Sequence, residues 1–192
     1  RGAGYFTSPL ELNKNLSYFN SHDYREGFIR VPGVRWFTNL EHGRRHQPLQ
    51  LMTMEDNIKF SKHKEVQVVG YQKYDNYDAI EVPFSDAIPS DYDGVMGVPI
   101  SFLDKYCPEQ FKIVGLAPER SDTMINRIFH YNNAVQHNSN GTTQSGNKVN
   151  DGPTILYKEP PVKFPYYTCE NREGFLQVLY ARILIKKKSE GR

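Results

Sequence analysis

The sequence predicts an α/β chain in which helices and strands mix, and three stretches carry that expectation. Residues 175–185 form a near-continuous apolar run between Gly174 and Lys186-Lys187-Lys188, the mark of a central strand buried on both faces. Residues 77–83 alternate in period two, as a half-buried strand does. Residues 54–64 read as a short helix ending in Lys59, Lys62, His63 and Lys64, cations suited to a helix C-terminus.

The other elements follow in chain order. Residues 1–26 read as loop and a short helix, which Thr7-Ser8-Pro9 would start with Glu11 in its first turn. Residues 27–31 and 34–38 are β-rich runs separated by Pro32-Gly33, a turn signal. Residues 66–71 read as a strand, and Asp91-Tyr92-Asp93-Gly94 is turn chemistry. Residues 99–106 and 108–111 read as short helices, and 112–116 as a strand. Val95, Val98, Ile100, Phe102 and Leu103 offer a core-facing set. Residues 132–152, rich in Asn, Gly, Ser, Thr and Gln, show no periodicity and read as a long, mobile loop. Such a loop either reads bases or is a surface insertion without a role.

Composition limits the function classes. The 192 residues are 38% hydrophobic and 24% charged, enough for a packed core and one good-sized domain, with or without an extension. Aromatic residues reach 13%, which favours core packing, with stacking on nucleobases as the sharper alternative. A net charge of +2 places any DNA-binding face in local clusters. One cluster is His42, Arg44, Arg45 and His46, which follows the aromatic pair Trp36-Phe37. Neighbouring strand residues point to opposite sides, so one of that pair suits the core. Between residues 75 and 109, by contrast, eight acids face one base, Lys105, and such a stretch would repel a phosphate backbone. Cys107 and Cys169 have no metal-ligand spacing, so no metal is expected, and a reducing, cytoplasmic compartment fits. No signal peptide or membrane span is expected, because no apolar run is long enough.

The search for catalytic groups returns none. Asp91 and Asp93 suit a solvated turn, and the six histidines form no metal-binding pattern. The Gly-x-Gly of Arg1-Gly2-Ala3-Gly4 follows no strand. Glu159-Pro160-Pro161-Val162 resembles the (Asp/Asn/Ser)-Pro-Pro-aromatic loop of amino-methyltransferases, yet its first and last residues fit neither role. It reads as an ordinary extended Pro-Pro segment.

Three ordered blocks resemble the EcoRI family of adenine-specific DNA methyltransferases. The first is Arg35-Trp36-Phe37-Thr38-Asn39-Leu40-Glu41-His42 with Arg44-Arg45-His46. The second is Tyr74-Asp75-Asn76-Tyr77-Asp78-Ala79-Ile80-Glu81-Val82. The third and most specific runs from Ile88-Pro89-Ser90-Asp91-Tyr92-Asp93-Gly94 through Phe102-Leu103-Asp104-Lys105-Tyr106 to Ile113-Val114-Gly115. The ending Tyr180-Ala181-Arg182-Ile183-Leu184-Ile185 with its lysines is similar as well.

The resemblance implies methyl transfer from S-adenosyl-L-methionine to the N6 of an adenine flipped out of duplex DNA. It also implies a Rossmann-like methyltransferase core joined to a mixed α+β target-recognition region. The family's Asn-Pro-Pro-Phe loop and donor-binding segment are not found in these residues, so no catalytic or cofactor-binding residue is carried over. The chain is expected to be inactive alone. Residues 1–45 would be the remainder of the core and the edge of the DNA face, and 46–192 the recognition region. The DNA-binding candidates are Trp36, Asn39, His42, Arg44, Arg45, His46, Gln144 and Lys148. Expected partners are double-stranded DNA and the missing N-terminal methyltransferase half. The alternatives are a catalytically inert DNA-binding module and a protein-interaction domain with an acidic surface.

Overall fold

A computed structural model of the chain describes residues 2–7, 28–34, 40, 41, 43–117 and 127–188. The chain divides into two compact units, Arg1–Glu41 and His42–Arg192. In the first, β1 (Gly2–Thr7) pairs antiparallel with β2 (Phe28–Val34). The expected loop at the start is therefore a strand, and Pro32-Gly33 lies inside β2 and makes no turn. The register explains this. It shifts between Gly2, opposite Val34, and Gly4, opposite Val31, so β2 carries an extra residue where Pro32 and Gly33 sit. A bulge in a two-stranded ribbon is where a strand tolerates proline. The expected helix after Thr7 and the strand over 34–38 lie mostly outside the described residues.

The second unit combines short helices with two sheets, as an α/β expectation requires. α1 (Met54–Phe60) starts at Thr53, whose hydroxyl accepts from Asp56 N at 3.1 Å. Asp91 Oδ1 accepts from Met54 N at 2.8 Å, so a second orphan N–H of this helix is satisfied from a distant turn. α2 (Lys64–Val69) replaces the strand expected over 66–71. Gly70, at φ +67°, ends it and returns its N–H to Val66 O at 3.0 Å. Val66 alone of the helix is buried, while Val68 is 83% exposed, so a helical turn serves a site with a single apolar contact.

The four-stranded sheet has the order β3-β4-β11-β5, with β3 (Ile80–Glu81), β4 (Val95–Pro99), β5 (Phe111–Ala117) and β11 (Arg182–Lys187). Only the β3–β4 pairing is parallel. The strand expected over 77–83 shrinks to two residues, because Tyr77 bridges instead to Arg127 and Pro83 cannot donate. A 3-10 helix over Ile100–Lys105 follows β4, close to the helix expected there, whereas the helix expected over 108–111 is a turn at 108–110 that runs into β5.

One face of this sheet packs Val98, Met96, Ile183 and Ile185 against Phe102 and Phe111. Ile100, assigned to the core by its apolar side chain, is 55% exposed, because the 3-10 turn buries Phe102 and leaves Ile100 outside. The other face packs Leu184, Val95 and Val114 against Ile155, Tyr74 and Tyr77, joining the second sheet.

That second sheet has the order β7-β6-β9-β10-β8 and is antiparallel throughout. It comprises β6 (Val135–His137), β7 (Thr143–Ser145), β8 (Thr154–Tyr157), β9 (Tyr166–Cys169) and β10 (Arg172–Val178). Two expectations are corrected here. The segment 132–152 is a hairpin followed by a 3-10 turn, Asn147–Asp151, with Gln136 buried and accepting from the Tyr167 hydroxyl at 3.1 Å. The apolar run 175–185 is two interior strands, β10 and β11, one in each sheet. The chain changes sheets at Leu179-Tyr180-Ala181, where Tyr180 is 92% exposed.

Long-range polar pairs hold the unit together. Buried Asn76 donates to Gly152 O and accepts from Thr154 N, both at 2.9 Å. Arg182 grips Glu81 with three contacts of 2.8–3.1 Å, and Tyr74 donates to the same carboxylate. Glycine at 97 is required there, since a Cβ would overlap the Tyr74 hydroxyl.

Candidate nucleic-acid interface

An open cleft of about 860 Å³ lies at one end of the four-stranded sheet. Four stretches meet in it: His46 at the end of the 3-10 turn Gly43–His46 with Leu49 after it, Ser90 with Asp93, Glu109 with Gln110, and Lys187 with Lys188 at the end of β11. His46, the segment 90–110 and the terminal lysines belong to the first and third resemblance blocks and to the similar ending. Residues scattered over the sequence are thus neighbours around one hollow.

Its wall is built by backbone clasps. Gln110 accepts from Leu49 N at 2.9 Å and donates to Leu49 O at 2.8 Å, while Lys188 N extends the ladder to Gln110 O at 2.9 Å. His46 Nδ1 lies 2.7 Å from Glu109 Oε1, and the Cys107 thiol donates to Glu109 Oε2 at 3.1 Å. Those two hydrogen bonds, the thiol's first, hold the exposed Glu109 carboxyl down to about 2. Lys187 donates to Ser90 O and lies 3.7 Å from Asp93. Lys188 stands exposed on the rim.

The acidic segment is neutralised from within. Its acids meet partners across the fold: Asp75 with Arg172, Asp78 with Lys73, Glu81 with Arg182, Asp86 with Lys62, Asp91 with Met54 N, Asp93 with Lys187, and Glu109 with the His46 ring. Burial would raise the Asp86 carboxyl, yet Lys62 and His63 together hold it below its ordinary value.

The sequence candidates divide into three groups. Trp36, Asn39 and His42 lie outside the described residues, as does the Arg44 side chain. Arg45 is half-buried and His46 faces the cleft. Gln144 and Lys148 are exposed in the other sheet's periphery, Gln144 on the edge strand β7 and Lys148 in the 3-10 turn after it. Neither is among the residues that line the cleft. Sequence reasoning missed Ser90, Gln110 and Lys187 as cleft residues. The lysine run 186–188 was the available signal, but its meeting with 46–49 and 90–110 depends on strand register.

The cleft lining carries Asp93 and Glu109 beside Lys187 and Lys188, and no Phe, Tyr or Trp is among its lining residues. No group of His, Cys, Asp and Glu suited to a metal ion occurs among the described residues, and none of their helices is long and apolar enough to cross a membrane.

Comparison with known proteins gives a consistent result. The family described as adenine-specific methyltransferase EcoRI matches residues 1–188. The type II methyltransferase M.EcoRI of Escherichia coli is 47% identical over 116 residues, covering 59% of this chain and 32% of that protein. M.MpnI of Mycoplasma pneumoniae is 41% identical over 87 residues, covering 45% of this chain and 24% of its own. M.MgeORF184P of Mycoplasma genitalium is 36% identical over 117 residues, covering 54% and 34%. The matches span about a quarter to a third of the length of these curated relatives. No solved structure matches the chain.

Proposed function

Because this chain belongs to the EcoRI family of adenine-specific methyltransferases, we propose that it is the DNA-recognising part of a site-specific DNA adenine N6-methyltransferase. Its substrate would be double-stranded DNA, and its setting a restriction-modification system in the cytoplasm. The observation that carries this reading is the cleft, where the stretches resembling the family converge and bring His46, Lys187 and Lys188 to one end of the four-stranded sheet. Lys187 and Lys188 at a concave edge attract a phosphate backbone, and Gln144 on the edge strand and Lys148 in the turn after it suit base edges and phosphates.

The methyl donor would be S-adenosyl-L-methionine, which supplies the transferred methyl group when bound. Its holder would be a Rossmann-like methyltransferase half joined to this chain. The role left to these residues is to grip the duplex, fix its register and read its bases. Trp36, Asn39, His42, Arg44, Arg45 and His46 would form the DNA face of residues 1–45 and its continuation.

Changing Arg44 and Arg45 together to Ala tests the reading. Duplex affinity should fall, and the slope of log affinity against log salt should flatten by roughly 2, about one per lost phosphate contact. Unchanged affinity and slope would count against it.

A further inference from the structure

The end of the four-stranded sheet beside the cleft holds an arrangement that folding alone does not favour. In the β11–β5 ladder Lys186 stands directly opposite Lys112, and both side chains are exposed. Antiparallel partners share a face, with Cβ atoms about 4.5–5.5 Å apart, so two ammonium groups project side by side. Neither has an ion pair or hydrogen bond among the described residues. Like charges at this spacing cost stability, where a Lys–Glu pair would add to it.

A protective role accounts for half of this. Lysines on edge strands discourage strand addition, and β5 is an edge. β11 is interior, with β4 on its other side, and there Val95 occupies the position beside Lys186. Nothing about edge protection calls for a cation at 186. Lys187 points to the opposite face, where Ser90 O and Asp93 hold it. Lys188 continues past the strand on the rim of the cleft. The two unpaired ammonium groups are therefore free to share one anion.

We infer that Lys112 and Lys186 form a phosphate site that clamps one phosphodiester of duplex DNA between two sheet strands. This rests on the recognition reading above and gives it a specific anchor that no base contact supplies. A phosphate between the two ammonium groups converts their repulsion into two attractions, so the fold carries the strain until DNA binds. Being a backbone contact, the clamp sets register and orientation and carries no sequence information.

The test measures stability and duplex binding on the same variants of the 192-residue chain. Lys112→Glu should raise Tm by roughly 1–3 °C, because the pair becomes attractive, and should weaken binding of a short labelled duplex. Lys112→Gln with Lys186→Gln should weaken cognate and scrambled duplexes alike, and should lower the salt slope by about 1, the loss of one phosphate contact. An unchanged slope in the double variant, or a lower Tm in Lys112→Glu, overturns the phosphate site and leaves the recognition reading standing. Absence of salt-dependent binding by the unsubstituted chain overturns the recognition reading and the phosphate site with it.

Discussion

Phe102 has no exposed surface and meets Tyr106 and Phe111 edge-on, with ring centroids 5.9 and 5.3 Å away. It sits in the third family block, between β4 and the cleft wall, so it supports the site without touching it. Phe102→Ala should lower unfolding free energy in urea by about 3–5 kcal/mol. A loss below about 1 kcal/mol would mean that the pocket closes around the smaller side chain. The burial of Phe102 was legible in the apolar pattern of its block. The partners of Asp75 were not: Arg172 is 97 residues away, and Tyr131, which donates to the same carboxylate at 2.9 Å, is 56 away. Side-chain pairs over such separations exist only once the sheets have met, so acids in the sequence read as free charge.

Elements were legible where an apolar face announces them and obscured where polar groups are buried with partners. β6 carries Val-Gln-His, with its polar centre enclosed, and β7 is exposed along its whole length. Neither displays the alternation that marks a half-buried strand, and the pair looked like a loop. The single apolar run at 175–185 hid the opposite case, since two interior strands in succession leave no polar residue at the sheet change. The hairpin yields a prediction at this scale. Gln144→Ala on the exposed edge should leave Tm unchanged and narrow the affinity gap between cognate and scrambled duplex. Lys148→Gln should weaken both equally. A Gln144→Ala variant whose preference is intact would make the hairpin a surface insertion.

At the scale of the whole molecule, the family and its mixture of helices and strands were legible from three ordered blocks, and residues 1–188 match that family. The place where those blocks meet was not legible, because the antiparallel placement of β11 between β4 and β5 decides it. The result is a scaffold whose family-like segments converge at one end of the four-stranded sheet, beside a pair of unmatched lysines. The most direct measurement is the anisotropy of a labelled duplex titrated with this chain between about 50 and 200 mM salt. The account predicts binding whose logarithm falls linearly with the logarithm of salt concentration, steeply enough to reflect several phosphate contacts. Binding that is absent throughout, or independent of salt, would contradict it.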